Sequence, residues 1–346
     1  DASPILKLSH HHSPTAMRES NTEEQLEEWY LDVRKLKMGK ELGRGNFGVV
    51  RKALWRGTPV AVKQLFNQAG LKNEELFAKE LATMRQLHHP NIVQFLGFVL
   101  LPEPGIVMEY FPNLSVEDYV MKVGYLYYRT SRNFAIQMAN AVAYLHGRKP
   151  HHFIHRDIKP SNFMLTASMQ VKLGDFGVAR SHDNRQEPHS PLGGRWGGPA
   201  RRRWSIDISR DQTAKCGTAR YMAPEVNAAI DQQSAMANYS RQADIWSLGM
   251  SLFFVFEGHI PFIPEIEVCA EKPNVEMHFR ALSKGLRPNF NKSSPAVRAI
   301  ISRTWDLDPM NRPSGDGLVQ DLEALPFAQK RFPFCCMTET GESFNL

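Results

Sequence analysis

The stretch HRDIKPSN, residues 155–162, concentrates side chains that could handle a phosphate group or a proton. Its eight positions include His155, Arg156, Asp157, Lys159 and Asn162. Burying such groups without partners costs about 1–3 kcal/mol each, so the stretch is poor material for a core. Either it is a solvated loop, or its groups are held together to bind something charged.

A second candidate is the glycine-rich run LGRGNFGVV, which begins at Leu42. Gly43, Gly45 and Gly48 form the spacing G-x-G-x-x-G, which lets backbone N–H groups approach phosphates closely. Dinucleotide-binding folds use the same spacing, but there the motif opens a helix, whereas strand-like residues follow here. The context favours a glycine-rich hairpin lying over a nucleotide. The alternative is an ordinary hairpin with glycines at its bends.

Lys63 ends the alternating strand pattern VAVK, where a lysine is usually solvated. It becomes a phosphate ligand if a carboxylate holds it in place. Glu80 is the candidate, because it lies in the middle of a predicted helix beside an apolar stripe. Glu74 and Glu75 lie near the start of that helix, where acidic residues interact favourably with the helix dipole, so they have a simpler explanation.

The bulk composition is that of an ordinary globular protein. The 346 residues are 42% hydrophobic and 23% charged, which allows one large or two modest domains. The formal net charge of +6 suits an anionic ligand as well as nucleic acid. The four cysteines show neither a disulfide framework nor a metal-binding spacing, which favours a reducing, intracellular setting.

No apolar run is long enough to predict a membrane span, and no apolar leader follows Asp1. The missing initiator methionine suggests a fragment of a longer protein. The pattern predicts strands and one helix from Leu36 to Val107, and mainly helices after Pro112. Residues 180–215, rich in Gly, Pro and Arg, predict a long flexible loop.

Further motifs continue the series: LGDFG with Asp175, GTARYMAPE over 217–225, DIWSLG from Asp244, and DPMNRP ending at Pro313. In this order they resemble the signatures of a eukaryotic protein kinase domain. The resemblance implies an α+β, bilobal protein-kinase fold. It has a small N-terminal lobe with a five-stranded antiparallel sheet and one helix (36–111), and a larger, mostly helical C-terminal lobe (112–327).

Outside the domain at 36–327, residues 1–35 are expected to form a polar N-terminal extension with a short helix, and 328–346 a C-terminal tail. The stretch at about 180–215 is then an insert in the activation segment. The sequence around the first strands, including LWRGTPVAVK, resembles that of the tyrosine-kinase-like group, in particular its Raf-like and integrin-linked-type members.

The resemblance assigns catalytic roles residue by residue. Lys63 is expected to orient the α- and β-phosphates of ATP and to pair with Glu80. Asp157 accepts the proton of the substrate hydroxyl. Asn162 and Asp175 hold two Mg²⁺ ions, which offset the charge spread over the transferring phosphoryl group. Together these residues predict an ATP-dependent phosphotransferase.

Two further residues bear on the acceptor. Lys159 and Thr218 match positions that act with Asp157 in serine/threonine kinases, so the resemblance implies transfer to Ser and Thr hydroxyls. Protein substrates, intracellular signalling and a cytoplasmic location follow from the same resemblance.

The nucleotide pocket is expected to combine the glycine-rich hairpin, an adenine-lining set with Met108 as gatekeeper, and the hinge. The residues are Leu42, Gly43, Gly45, Gly48, Val50, Ala61, Lys63, Met108, Glu109, Phe111 and Met164. Glu109 and Phe111 would offer hinge backbone groups to the base. Ser115 could approach the ribose, but an acid three residues later favours a helix cap.

Other matches imply structural roles. His155 and Phe176, with Met84 and Phe95, are expected to form an apolar spine. Asp244 is expected to anchor the backbone of the HRDIKPSN loop. Glu225 is expected to pair with Arg312.

Two alternatives remain open. A pseudokinase would keep the fold as a scaffold, but such proteins usually lose residues of the Lys63, Asp157 or Asp175 type, and all three are present. A nucleic-acid binder is suggested by the basic run GGRWGGPARRRW. A solvated insert is the favoured interpretation of that run, so nucleic acid is disfavoured as a partner.

The insert also offers regulatory sites. Thr213 or the neighbouring Ser209 is expected to carry an activating phosphate, added by an upstream kinase or by autophosphorylation, with Arg156 as its partner. Ser205 follows basic residues and is a second regulatory candidate. The alternative is an inert linker.

Overall fold

A five-stranded antiparallel sheet forms the amino-terminal lobe. In a computed structural model of the chain, the described residues are 27–45, 48–65, 72–100, 104–177, 179–182, 220–226, 239–262 and 285–327. The strands lie in the order β1-β2-β3-β5-β4. Their bounds are β1 Leu36–Gly45, β2 Gly48–Trp55, β3 Thr58–Leu65, β4 Phe95–Val99 and β5 Gly105–Glu109.

The alternation of side chains in β3 divides the two faces of this sheet. Val60 and Val62 are fully buried on one face, in a cluster with Leu36 and Val107. Because successive side chains of a strand point to opposite faces, Lys63 belongs to the other face. The same alternation that suggested a strand in the sequence therefore aims Lys63 away from the apolar cluster.

One helix, α1 (Lys72–Met84), accompanies the sheet. Its apolar side chains Phe77, Leu81 and Met84 are buried in the main core. Glu80 is 4% exposed between them. The predicted α+β, bilobal architecture, with a five-stranded antiparallel sheet and one helix in the small lobe, is confirmed.

The second lobe is mainly helical. Its helices are α2 Val116–Val123, α3 Tyr128–Gly147, α4 Arg241–Glu257, α5 Pro295–Thr304 and α6 Gly315–Ala324. Helix α4 is apolar on all sides and lies in the core, as expected for a helix without a polar face. Ser240 caps its start by accepting a hydrogen bond from Ala243 N, and Gly258 ends it with φ +77° in the left-handed region.

Two small two-stranded antiparallel sheets flank the HRDIKPSN loop. Strand β6 (His152–Ile154) pairs with β9 (Arg180–His182), and β7 (Phe163–Leu165) pairs with β8 (Val171–Leu173). A 3-10 turn, Pro160–Asn162, follows β6 and leads into β7. The HRDIKPSN loop is thus held at both ends by strands.

The residues just before β1 contact the sheet. Leu31 N donates a hydrogen bond to Phe98 O at 2.8 Å, and Phe98 N donates to Trp29 O at 2.9 Å. Gly97 allows this close approach, since a Cβ there would lie 2.6 Å from Trp29 O. Residues 29–31, which the sequence assigned to a polar extension, therefore pack on β4.

Among the helices of the described ranges, none is both long enough and apolar enough to cross a lipid bilayer.

Candidate active site

Lys63 is the centre of a three-member ion cluster. Its Nζ lies 2.8 Å from Glu80 Oε1 and 2.8 Å from Asp175 Oδ1. The three side chains come from β3, from α1 and from the loop after β8, so the cluster joins both lobes. The Lys63–Glu80 pair is the one on which positioning of ATP phosphates depends in protein kinases.

The charges in this cluster fix its protonation. Burial disfavours the charged form of Lys63, but the carboxylates of Asp175 and Glu80 outweigh this effect and raise its pKa. The positive charge of Lys63 lowers the pKa of Asp175 to about 2 and outweighs the opposing effect of partial desolvation. Burial raises the pKa of Glu80, and Lys63 partly offsets that effect. Lys63 is therefore a cation and Asp175 an anion at neutral pH.

Gly177 lies directly against this cluster. A Cβ at this position would lie 3.3 Å from Glu80 Oε2, 3.4 Å from Lys63 Nζ and 3.5 Å from Asp175 Oδ1. The first of these distances is tighter than ordinary van der Waals contact. The glycine of the DFG motif thus leaves room for the ion cluster to form.

The HRDIKPSN loop brings a second set of groups together. Lys159 Nζ lies 2.8 Å from Asp157 Oδ2, and Asn162 Nδ2 donates to the same oxygen at 3.0 Å. Asn162 Nδ2 also donates to the backbone oxygen of Asp157 at 2.7 Å. Both contacts go to Oδ2 and hold this side of the Asp157 carboxylate in place.

Asp244 binds the backbone of this loop. Its Oδ2 accepts a hydrogen bond from His155 N at 2.8 Å, and its Oδ1 accepts one from Arg156 N at 2.9 Å. His146 Nε2 lies 3.0 Å from Asp244 Oδ2. Burial opposes ionisation of Asp244, but its hydrogen bonds outweigh this effect and lower its pKa. Sequence reasoning assigned the anchor to Asp244 but missed His146.

The DFG segment is joined to the loop by two contacts. His155 Nε2 lies 3.0 Å from Gly174 O, and Gly174 N donates to Asn162 O at 2.9 Å. The rings of His155 and Phe176 meet edge to face with centroids 5.1 Å apart. Met84 and Phe95 are buried in the same core cluster. Asp175 itself has φ +59°, in the left-handed region that residues with a Cβ rarely adopt.

The strands place the predicted nucleotide-pocket residues in register. Val50 lies opposite Lys63, and Ala61 lies opposite Met108. Gly43 pairs with Val50, and Gly45 pairs with Gly48 at the end of the hairpin. Leu42 lies at the irregular step of β1, and Met164 on β7 forms an isolated β-bridge with Ser115.

The hinge follows β5. Glu109 N donates to Gln94 O at 3.1 Å, so of its two backbone groups the carbonyl is the one suited to a base. The side chain of Glu109 pairs with Lys172 Nζ at 2.8 Å, a contact that sequence reasoning did not find. Phe111 is buried. Ser115 forms a capping box with Asp118 at the start of α2, in agreement with the interpretation as a helix cap.

The segment 220–226 is tied to the second lobe by an ion pair. Arg312 Nη1 and Nη2 donate to the two carboxylate oxygens of Glu225 at 2.6 and 3.0 Å. The predicted site residues Thr218, Thr213, Ser209 and Ser205 lie outside the described residues.

The donor set suits a hard divalent cation held together with phosphates. Asp175 offers an ionised carboxylate, half exposed towards the cleft, and Asn162 offers its amide oxygen because its nitrogen binds Asp157. Mg²⁺ typically takes only one or two carboxylates plus substrate phosphates. Within the described part of the chain, no cluster of three His, Cys, Asp or Glu side chains forms a metal site. Asp175 and Asn162 therefore fit Mg²⁺ that is bound together with a nucleotide.

Comparison with known proteins gives a consistent result. The family model described as "Protein kinase domain" matches residues 36–324. The serine/threonine-protein kinase VIK of Arabidopsis thaliana is 33% identical over 293 residues, which cover 82% of this chain and 58% of the relative. Mitogen-activated protein kinase kinase kinase 7 of Homo sapiens is 31% identical over 323 residues, covering 90% of this chain and 46% of the relative.

A third relative, the probable serine/threonine-protein kinase drkD of Dictyostelium discoideum, is 29% identical over 302 residues. That match covers 86% of this chain and 20% of the relative. The chain spans about half the length of the first two relatives.

Proposed function

The chain belongs to the protein kinase domain family, and we propose that it is an ATP-dependent protein serine/threonine kinase acting in intracellular signalling. The observation that carries this proposal is the Lys63–Glu80–Asp175 cluster beside the Asp157–Lys159–Asn162 set. The first set suits a triphosphate and the second suits a hydroxyl nucleophile. The relatives VIK and mitogen-activated protein kinase kinase kinase 7 agree with the resemblance to the tyrosine-kinase-like group.

In this reaction the bond between the γ-phosphorus of ATP and its bridging oxygen breaks, and a bond from the substrate hydroxyl oxygen to phosphorus forms. Lys63, held by Glu80, orients the phosphates. Asp157 Oδ1 takes the proton that the hydroxyl loses, while Lys159 and Asn162 fix the carboxylate through Oδ2. ADP is the leaving group.

Asn162 and Asp175 would hold Mg²⁺, which when bound offsets the negative charge that develops on the phosphoryl oxygens. The depressed pKa of Asp175 supports this role, because the carboxylate stays ionised at every physiological pH.

The adenine would lie between the sheet of the first lobe and β7, in contact with Leu42, Val50, Ala61 and Met164. The register that aligns Ala61 with Met108 supports this placement. The carbonyl of Glu109 and the backbone of Phe111 would bind the base, and the glycine-rich hairpin would cover the phosphates.

Protein Ser and Thr side chains are the proposed acceptors, on the basis of Lys159 at Asp157 and of the serine/threonine-kinase relatives. The proposed domain is 36–327, divided at 111/112, with its insert at about 180–215. Phosphorylation at Thr213, Ser209 or Ser205 remains a proposal about regulation. A cytoplasmic location is proposed from the resemblance to protein kinases of intracellular signalling.

The experiment is phosphorylation of a degenerate peptide library by the purified protein and by its Lys63→Met and Asp157→Asn variants. We expect phosphoserine and phosphothreonine with wild type and loss of turnover in both variants, with melting curves showing folded protein. Normal turnover in a folded Lys63→Met variant would contradict the assignment of Lys63. Mainly phosphotyrosine would contradict the acceptor assignment.

A further inference from the structure

The backbone of Arg156 has a conformation that is unfavourable for a residue with a side chain. Its φ is +72°, in the left-handed region that residues with a Cβ rarely adopt. Such a conformation persists only where the surroundings over-determine it. One constraint is the hydrogen bond from Arg156 N to Asp244 Oδ1. This bond fixes the backbone but leaves the side chain to be placed by something else.

The side chain lies on an aromatic ring. The guanidinium carbon of Arg156 is 5.1 Å from the centroid of the Tyr239 ring, within the range of a cation–π contact. Burial raises the pKa of Tyr239 to about 12, with a smaller opposing effect from Arg156, so the ring is neutral at physiological pH. The contact is therefore between a cation and a neutral ring, not an ion pair.

Tyr239 and Asp244 belong to the same end of one element. Tyr239 directly precedes Ser240, the cap of α4, and Asp244 lies in the first turn of that helix. One helix start thus holds both the backbone and the side chain of Arg156. Since Arg156 directly precedes Asp157, this end of α4 reaches the residue that accepts the substrate proton.

A cavity of about 10 Å³ lies between the loop and the segment 220–226, lined by Arg156, Asp157, Tyr221, Tyr239 and Asp244 among others. That volume holds at most about one water molecule, so the guanidinium cannot turn into it. Removal of the Tyr239 ring would open a space into which Arg156 could move.

We propose that Tyr239 is a positioning residue for phosphoryl transfer, whose ring fixes the Arg156 side chain and thereby the orientation of Asp157. The inference rests on the proposed kinase function. The ring face is the part of Tyr239 that acts, and its hydroxyl is not needed for this role.

The experiment measures kcat and KM for ATP in Tyr239→Leu, which removes the ring, and in Tyr239→Phe, which keeps it. We expect kcat to fall about tenfold in Tyr239→Leu with KM unchanged. Loss of a desolvated cation–π contact corresponds to a rate change of about that size. In Tyr239→Phe, kcat should stay within about twofold of the wild-type value. Tyr127→Leu, which removes a ring that is 75% exposed, is the matched control.

A double-mutant cycle identifies the partner. If the ring acts through Arg156, then Tyr239→Leu should have no further effect on kcat in an Arg156→Gln background. Fully additive losses, or equal losses in Tyr239→Phe and Tyr239→Leu, would overturn the proposal.

Two outcomes separate this inference from the proposed function. If the wild-type protein phosphorylates no peptide, both the proposed kinase activity and this role of Tyr239 are refuted. An active wild type whose Tyr239→Leu variant keeps full kcat refutes the positioning role alone. If Tyr239→Leu does not fold, Arg156→Lys carries the test, because lysine keeps the charge but loses the planar stack. We expect a similar loss of kcat, and an unchanged kcat would overturn the proposal.

Discussion

Lys63 illustrates how one side chain depends on residues far from it in the sequence. Its pair with Glu80 spans 17 positions, and its contact with Asp175 spans 112. Two carboxylates at 2.8 Å secure the charge of Lys63 even though it is largely removed from water. The cluster therefore keeps a cation ready for an anionic ligand while holding the two lobes in one arrangement.

At this scale, Gly177→Ala should impair catalysis more than folding. The added Cβ would press on Glu80 and Lys63 at 3.3 and 3.4 Å and displace the ion cluster by a few tenths of an ångström. Since small misplacements of catalytic groups are costly, we expect kcat to fall about tenfold. Gly147→Ala is the control, because nothing lies within 4 Å of a Cβ there. Equal turnover in the two variants, both folded by thermal melting, would refute the tight contact.

The lowered pKa of Asp175 predicts a pH dependence of stability. Its folded pKa of about 2 lies below the ordinary value of 3.8, so ionised Asp175 stabilises the fold above about pH 4. That contribution is lost as the pH falls from about 4 towards 2. The difference in unfolding free energy between wild type and Asp175→Asn, measured by urea denaturation, should therefore narrow from pH 5 to pH 3. A difference that stays constant would show that Lys63 does not lower this pKa.

At the scale of elements, helix α4 organises the second lobe. Asp244 near its start binds the HRDIKPSN loop, and its middle packs closely on α5. Gly249 makes that approach possible, because a Cβ there would lie 1.7 Å from Thr304 Oγ1. Close packing of α4 on α5 therefore helps to fix the position of Asp244.

Gly249→Ala should consequently be strongly destabilising. The clash with Thr304 cannot be relieved by a side-chain rotation alone, since Thr304 Cβ is also within 2.7 Å. We expect a loss of about 3 kcal/mol in unfolding free energy, at the upper end of overpacking effects. Chemical denaturation measures the change, and Gly147→Ala again serves as the control. A loss below about 0.5 kcal/mol would mean that the helices separate easily.

At the scale of the whole molecule, the contribution of an ion pair to stability depends on how deeply the pair is buried. The Arg312 side chain is fully buried and binds both oxygens of Glu225, which joins the segment 220–226 to the body of the second lobe. Arg303 and Asp321 form a second pair, between α5 and α6, in which both side chains remain exposed. The first pair leaves a buried charge if broken, and the second does not.

Glu225→Gln should therefore cost more than Asp321→Asn. We expect about 2 kcal/mol for Glu225→Gln, below the full effect of breaking a buried pair because Glu225 is 24% exposed. Asp321→Asn should cost less than about 1 kcal/mol. Thermal melts of both variants at the same ionic strength measure the difference, and equal shifts would contradict the role of burial.

Local patterns in the sequence determined the elements and their order. Alternating apolar residues predicted the strands, as with Val60 and Val62, and helical spacing with a terminal glycine predicted α4 up to Gly258. The kinase motifs, each a short local pattern, predicted the bilobal fold. They also named Lys63, Asp157, Asn162 and Asp175 as the chemical groups.

Only the tertiary structure decided which distant side chains meet. The contacts of His146 with Asp244, of Lys172 with Glu109 and of Tyr239 with Arg156 join positions that are 98, 63 and 83 residues apart. His146, Lys172 and Tyr239 lie in no pattern that separates them from ordinary surface or core residues. Hydrogen bonds and cation–π contacts require atoms within a few ångströms, and that proximity arises only when the helices and sheets pack together.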